Sequence, residues 1–222
     1  MPDALTTIHT AALDAMKAVF AFWQEYNALQ VAKYISPQTD KDRRPVEVGL
    51  TDQFVLALGQ SLRAAKVPGL GPKGVARSWM TYCREESQEG WDIDWMYRDA
   101  NEMAYHMIFQ AKCVGMHNGA EYADFSYEVG NKTGNFQAEL LMNHVESLRL
   151  LAKHQGHKLV GGYLLFASTG VSVVWIDDVF NALQACGWKT GEAHNVEVYK
   201  YLLNKRQVKH TLPEGLVAKL RE

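Results

Sequence analysis

From residue 4 to about residue 33, apolar side chains recur at spacings of three and four. Ile8, Ala12, Met16, Val19, Phe20, Trp23 and Tyr26 fall on one stripe, which predicts a long helix with a core or partner-helix seam. The stretch from Ser36 to Pro45 is polar and carries Pro37 and Pro45, so it reads as a connection. This divides the chain into an N-terminal helical appendage (1–45) and a larger domain (46–222). A second helical stripe, Phe54, Val55, Leu58 and Leu62, predicts a helix from about Thr51 to Ala65. Thr51 would be its N-cap, and Asp52 would lie near the positive end of the helix dipole. Val67-Pro68-Gly69-Leu70-Gly71-Pro72 ends that helix. Residues 75–88 fit either a short helix or a strand through Trp79 to Tyr82.

The period then changes from 3.6 to 2. Between Trp91 and Tyr97, Asp92 and Asp94 fall on one face and Ile93, Trp95 and Tyr97 on the other. Met103 to Val114 alternates too, with Tyr105, Met107 and Phe109 opposite His106, Ile108, Gln110 and Lys112. The polar run Arg98–Glu102 between them predicts a hairpin. Residues 115–132 are mixed and contain glycine, and read as a loop. Phe136, Leu140, Leu141, Val145, Leu148 and Leu151 predict a helix over 135–155, closed by Gly156. Leu159 to Ala167 is a continuous apolar run, the mark of a central buried strand. A strand at Val171–Trp175 and a helix from Asp177 to Cys186 follow. This order predicts an α/β fold, a mixed sheet flanked by helices.

Composition narrows the function classes. The 222 residues are 47% hydrophobic and 22% charged, with a net charge of −2. That suits a globular protein and argues against a strongly cationic nucleic-acid binder, while leaving local patches open. Cys83, Cys113 and Cys186 form no CxxC pair, and no signal-peptide pattern precedes them. Reduced thiols and a cytoplasmic location are the expectation. No apolar run approaches the ~20 residues of a membrane-spanning helix; the longest, Gly161–Trp175, is interrupted at Ser168-Thr169-Gly170.

The predicted hairpin concentrates the chemistry. An antiparallel pair brings the start of one strand beside the end of its partner, so Asp92 can meet Gln110 and Lys112. A carboxylate, an amide and an ammonium group then share one face of two otherwise apolar strands. Such a set suits phosphodiester hydrolysis. A hard cation such as Mg²⁺ or Mn²⁺ takes oxygen ligands and needs few from the protein. Asp92 would supply the charged ligand, with the Gln110 side-chain oxygen and the Ala111 carbonyl beside it. Lys112 would serve the attacking water and offset phosphoryl charge. Gln110 stands where a second carboxylate would strengthen the site, so another acid must join.

Gly90-x-Asp92, the hairpin and Gln110-Ala111-Lys112 together resemble the PD-(D/E)XK nuclease superfamily, in the variant with Gln at the middle position found in Mrr-like restriction endonucleases. The resemblance also extends to a bacterial nuclease-like family of uncharacterised activity, through Thr51-Asp52, Glu85-Glu86-x-x-Glu89-Gly90-x-Asp92 and Gln110-Ala111-Lys112. It covers about residues 47–167. It implies a restriction-endonuclease-like α-β-β-β-α-β core with an acid on the first core helix, Mg²⁺-dependent hydrolysis of DNA, and a role in restriction or anti-phage defence. For the missing acid Glu86 and Asp52 are preferred over Glu47, and each has a plain alternative as a surface or helix-dipole charge. Asp94 is a possible second acid; its plainer reading is an exposed strand carboxylate.

Other residues carry less. A zinc site from Cys83, Cys113 and His117 lacks paired ligand spacing. His106 lies on the hairpin's polar face, whereas His144 and His154 read as surface or partly buried helix residues. Gln137 reads as a capping or exposed residue near a helix start, though it could approach a substrate backbone. Gly69-Leu70-Gly71-Pro72-Lys73-Gly74 is a turn rather than a phosphate loop. Lys200, Lys205, Arg206, Lys209, Lys219 and Arg221 make the C-terminal segment locally basic, and Arg43 with Arg44 adds a small cluster; such patches either track a phosphate backbone or are solvated faces. The rival to an enzyme is a non-catalytic nucleic-acid-binding or scaffold protein on the same fold, with the first helix as a homo-oligomerisation element.

Overall fold

The computed structural model describes residues 3–32, 47–67, 78–82, 90–128 and 136–222. The first helix, α1 (Ala4–Val31), starts on Asp3, whose side chain accepts the Thr6 N–H. Most of its predicted stripe is buried: Ile8, Ala12 and Val19 are fully enclosed and Trp23 nearly so, whereas Met16 and Tyr26 are partly buried and Phe20 is exposed. They pack in the same core as α2 (Glu47–Ala64) and one face of the sheet. The predicted connection over 36–45 lies outside the described residues.

Helix α2 begins four residues before its expected cap. Thr51 is inside the helix and returns its hydroxyl to the Glu47 carbonyl at 2.9 Å, a back-bond open to any mid-helix threonine. Glu47 therefore occupies the first turn, where negative charge is favoured. The ambiguous segment after α2 contributes a strand, β1 (Ser78–Tyr82).

Five strands form a mixed sheet in the order β1-β2-β3-β6-β7. β2 (Ile93–Arg98) and β3 (Ala104–Cys113) are the expected hairpin, with Ile93 opposite Phe109 and Tyr97 opposite Tyr105. Asp99 builds its turn by accepting the N–H groups of Asn101 and Met103. β6 (Lys158–Ala167) runs parallel to β3, and β7 (Gly170–Trp175) returns antiparallel to β6. The helix α3 (Gln137–Gln155) makes the crossover from β3 to β6, and left-handed Gly156 ends it, as the sequence implies. Residues 115–122, expected to be loop, form a separate hairpin of β4 (Gly115–His117) and β5 (Ala120–Tyr122). Asn118 and Gly119 both have positive φ, the requirement of the tight I′ turn that Asn-Gly favours.

Three layers result. On one face α1, α2 and α6 (Leu212–Arg221) cover Ile93, Trp95, Met107, Phe109 and Leu164. On the other, α3, α4 (Ile176–Cys186) and α5 (Glu192–Asn204) cover Ile108, Tyr163, Leu165 and Val174. Arg149 of α3 forks onto Asp177 at the start of α4 through bonds of 2.9 and 2.7 Å. That hydrogen bonding holds the Asp177 carboxyl below the usual carboxylate range, while burial pushes neighbouring Asp178 above it. No helix is long and apolar enough to cross a membrane among the described residues.

Candidate active site

The site lies where β3 outruns β2. Ladder pairing starts at Ile93 opposite Phe109, so Gln110 to Cys113 have β6 on one side and no β2 residue on the other. Amides facing away from β6 on that stretch belong to alternate residues, here Ala111 and Cys113. Each meets a carboxylate. Asp92 gives its own N–H to the Phe109 carbonyl at 2.8 Å and folds its side chain back onto the edge. Its Oδ2 accepts the Ala111 N–H at 2.7 Å and the Gln110 Nε2 at 2.5 Å. Glu47 arrives from α2, and its Oε2 accepts the Cys113 N–H at 2.9 Å. The other Glu47 oxygen lies 3.7 Å from Lys112 Nζ. Two acids thus occupy consecutive outward amides, ~7 Å apart along the strand.

Gln110 is fully buried and Lys112 is 8% exposed. The Lys112 ammonium points over the ring of Tyr127, 5.5 Å from its centroid. Gln110 turns its amide nitrogen toward both Asp92 Oδ2 and the Ala111 carbonyl, the latter at 3.3 Å. To offer its oxygen beside Asp92 the amide would have to rotate by half a turn.

Gly90 explains how Asp92 gets there. Its φ is +73°, and a Cβ on it would stand 2.7 Å from both the Gln137 carbonyl oxygen and the Leu141 nitrogen. Only a residue without a side chain lets this segment touch the first turn of α3. Trp91 then packs on His144 with ring centroids 5.7 Å apart.

Of the residues expected at the site, Asp92, Gln110, Ala111 and Lys112 come together, with Glu47 as the neighbouring acid. Asp52 does not join them: it is exposed on α2, and five residues from Glu47 places it ~140° around the helix. Glu86 lies outside the described residues. Asp94 is not an exposed strand carboxylate; it is 8% exposed, and its Oδ1 is 2.5 Å from His106 Nε2. Gln137 is buried rather than exposed, and its N–H reaches the Tyr127 carbonyl at 2.9 Å. His117 pairs with Glu192 at 2.9 Å, and Tyr122 donates to the same carboxylate. Cys83 lies outside the described residues, and among those described no three His, Cys, Asp or Glu side chains cluster as a metal site. Two participants were not announced by the sequence pattern: Tyr127 in the loop before α3, and the buried Asn195 of α5, which fixes the turn preceding it. Alternation cannot reveal a contact made by a single loop residue.

A family model matches residues 23–213, from the last turns of α1 to the start of α6. The chain belongs to a family of unknown function, DUF6615. The match takes in the whole sheet and every residue of the cluster just described, but only the last third of α1. No curated protein matches the chain.

Proposed function

We propose that this chain is a metal-dependent nuclease that hydrolyses DNA phosphodiester bonds, akin to the PD-(D/E)XK enzymes. What carries the reading is the convergence of Asp92, Gln110-Ala111-Lys112 and the helix acid Glu47 on the edge of β3 beyond its pairing with β2. The donors fit a hard divalent cation: two carboxylates, a side-chain amide and the Ala111 carbonyl are all sources of oxygen. Asp92 and Glu47 would hold Mg²⁺ or Mn²⁺, with Gln110 and Ala111 beside them. The chemistry such a cation supplies is charge neutralisation at the phosphoryl group and acidification of water. Lys112, enclosed and poised between Glu47 and Tyr127, orients the attacking water and places positive charge against the developing phosphorane-like oxygens. A cytoplasmic enzyme of restriction or anti-phage defence is the setting this reading implies.

A second reading rests on a specific observation. Asp92 with Gln110 and Ala111, and Glu47 with Lys112 and Cys113, are joined by direct hydrogen bonds and an ion pair. The same residues would then only cap a strand edge, in a non-catalytic nucleic-acid-binding or scaffold protein. Cleavage of plasmid and single-stranded DNA in Mg²⁺ and Mn²⁺ decides between them. The nuclease reading expects activity in the wild type and a loss of at least ~100-fold in Lys112→Ala and Asp92→Asn, the scale of a lost catalytic group. A wild type as inert as both variants, with no metal binding by calorimetry, defeats it.

A further inference from the structure

Tyr127 is 49% exposed, yet it is held from several directions. Its carbonyl accepts the Gln137 N–H at the start of α3. The turn before it is fixed by Asn195 of α5, which is 2% exposed. Asn195 Oδ1 accepts from Phe125 N, Ser126 N and Ser126 Oγ at 3.1, 3.2 and 3.1 Å. Its Nδ2 donates to Asp124 at 2.8 Å. Phe125 is buried edge-on against Tyr163, with centroids 5.2 Å apart. An exposed aromatic ring is thus presented on a fixed turn beside the Lys112 ammonium. Fixing a loop costs conformational entropy, and Tyr127 leaves about half of its surface in solvent.

We infer that Tyr127 is a stacking platform for one unpaired nucleobase of single-stranded or splayed DNA, next to the phosphate that Lys112 contacts. This rests on the nuclease reading for the placement of the phosphate, and it adds a substrate class to it. A base within an intact duplex has no free π-face to offer, so the platform selects strands already open. Lys112 meets the negative backbone, and the ring meets the base, the pairing by which single-strand binders combine charge with aromatic stacking.

Anisotropy of a labelled single-stranded oligodeoxynucleotide tests this with the full chain in EDTA, where no cleavage intervenes. Tyr127→Ala is expected to weaken binding ~5- to 150-fold, the range of one lost base stack. Tyr127→Phe is expected to bind as the wild type does, since the ring is kept. An abasic oligonucleotide of equal length should not distinguish wild type from Tyr127→Ala, because only its phosphates remain. The inference is overturned if Tyr127→Ala binds the normal strand as tightly as wild type, if it weakens the abasic strand equally, or if wild type binds neither. Because the ring is half-exposed, matching melting curves should show that Tyr127→Ala folds. Failure of this inference is separable from failure of the enzyme: unchanged binding with Mg²⁺-dependent cleavage leaves a nuclease without the platform. Ring-dependent binding without cleavage leaves the platform on a non-catalytic protein.

Discussion

Three glycine-to-alanine substitutions with one chemical change and three surroundings test the close approach of Gly90 to α3. At Gly49, in helix α2, an added Cβ meets nothing within 4 Å and φ is ordinary; removing glycine's excess freedom should stabilise by ~0.5–1 kcal/mol. At Gly119 space is open but φ is +77°, so the left-handed backbone alone should cost ~1–2 kcal/mol. At Gly90 the same backbone cost is joined by contacts of 2.7 Å to two backbone atoms and 2.9 Å to Leu140 Cβ. Backbone cannot rotate away as a side-chain tip can, and overpacking of this kind adds ~1–3 kcal/mol. The total for Gly90→Ala is ~2–5 kcal/mol. In a domain of this size 1 kcal/mol moves the melting temperature by ~2 °C, so Gly90→Ala should melt ~4–10 °C below wild type. Scanning calorimetry or urea titration reads all three. A Gly90→Ala loss no larger than that of Gly119→Ala would refute the close packing, and with it this account of how Asp92 is placed.

Two further predictions concern charge. Gln110→Glu puts a second carboxyl where an amide nitrogen now lies 2.5 Å from Asp92 Oδ2. Without metal the variant should lose ~3 kcal/mol, the scale of an uncompensated buried charge, and millimolar Mg²⁺ should restore more of its melting temperature than it adds to wild type; Mg²⁺ that moves neither curve in thermal-shift assays speaks against the metal reading. Asp177→Asn and Asp178→Asn should move stability in opposite directions at pH 7. The Asp177 carboxyl is lowered by Arg149, so its contribution exists above the unfolded carboxylate range and disappears as pH falls through the folded value. It is below ~1 kcal/mol because the pair is partly solvated. The Asp178 carboxyl is raised by burial, so its charge costs stability at neutral pH and that cost vanishes below the unfolded value near ~3.9. Asp178→Asn should therefore gain at pH 7, keep its bond from Gln207, and match wild type near pH 3; a loss at pH 7 contradicts the assignment.

Much of the sheet was legible because its signals are local. The period-2 segments gave the hairpin, and antiparallel geometry alone brought Asp92 near Gln110, where the two side chains hydrogen-bond just beyond the last ladder pair. The apolar run of β6 and the Gly156 stop were equally plain. Glu47 was harder to prefer, because Thr51-Asp52 is a strong cap signal and draws the expected helix start away from it. The hairpin of β4 and β5 did have a signal, Asn118-Gly119, obscured by strands of three residues each. The Asp94–His106 pair was half visible, since both residues share the predicted polar face. Its burial was not, because it depends on what packs above the sheet. Tyr127 and Asn195 are 68 residues apart and belong to elements whose meeting no sequence period encodes.

The overhang of β3 also bears on how this protein stays apart from its copies. A strand that extends past its neighbour presents unpaired amides to any other extended chain, the usual start of sheet-to-sheet aggregation. Asp92 and Glu47 close that opening with negative charge at Ala111 and Cys113. The acids proposed to hold metal are thus also gatekeepers of a sticky edge. Truncating both to alanine would expose two neighbouring outward donors at once, and a loss of soluble, monodisperse protein would follow from edge pairing whatever the chemistry of the site.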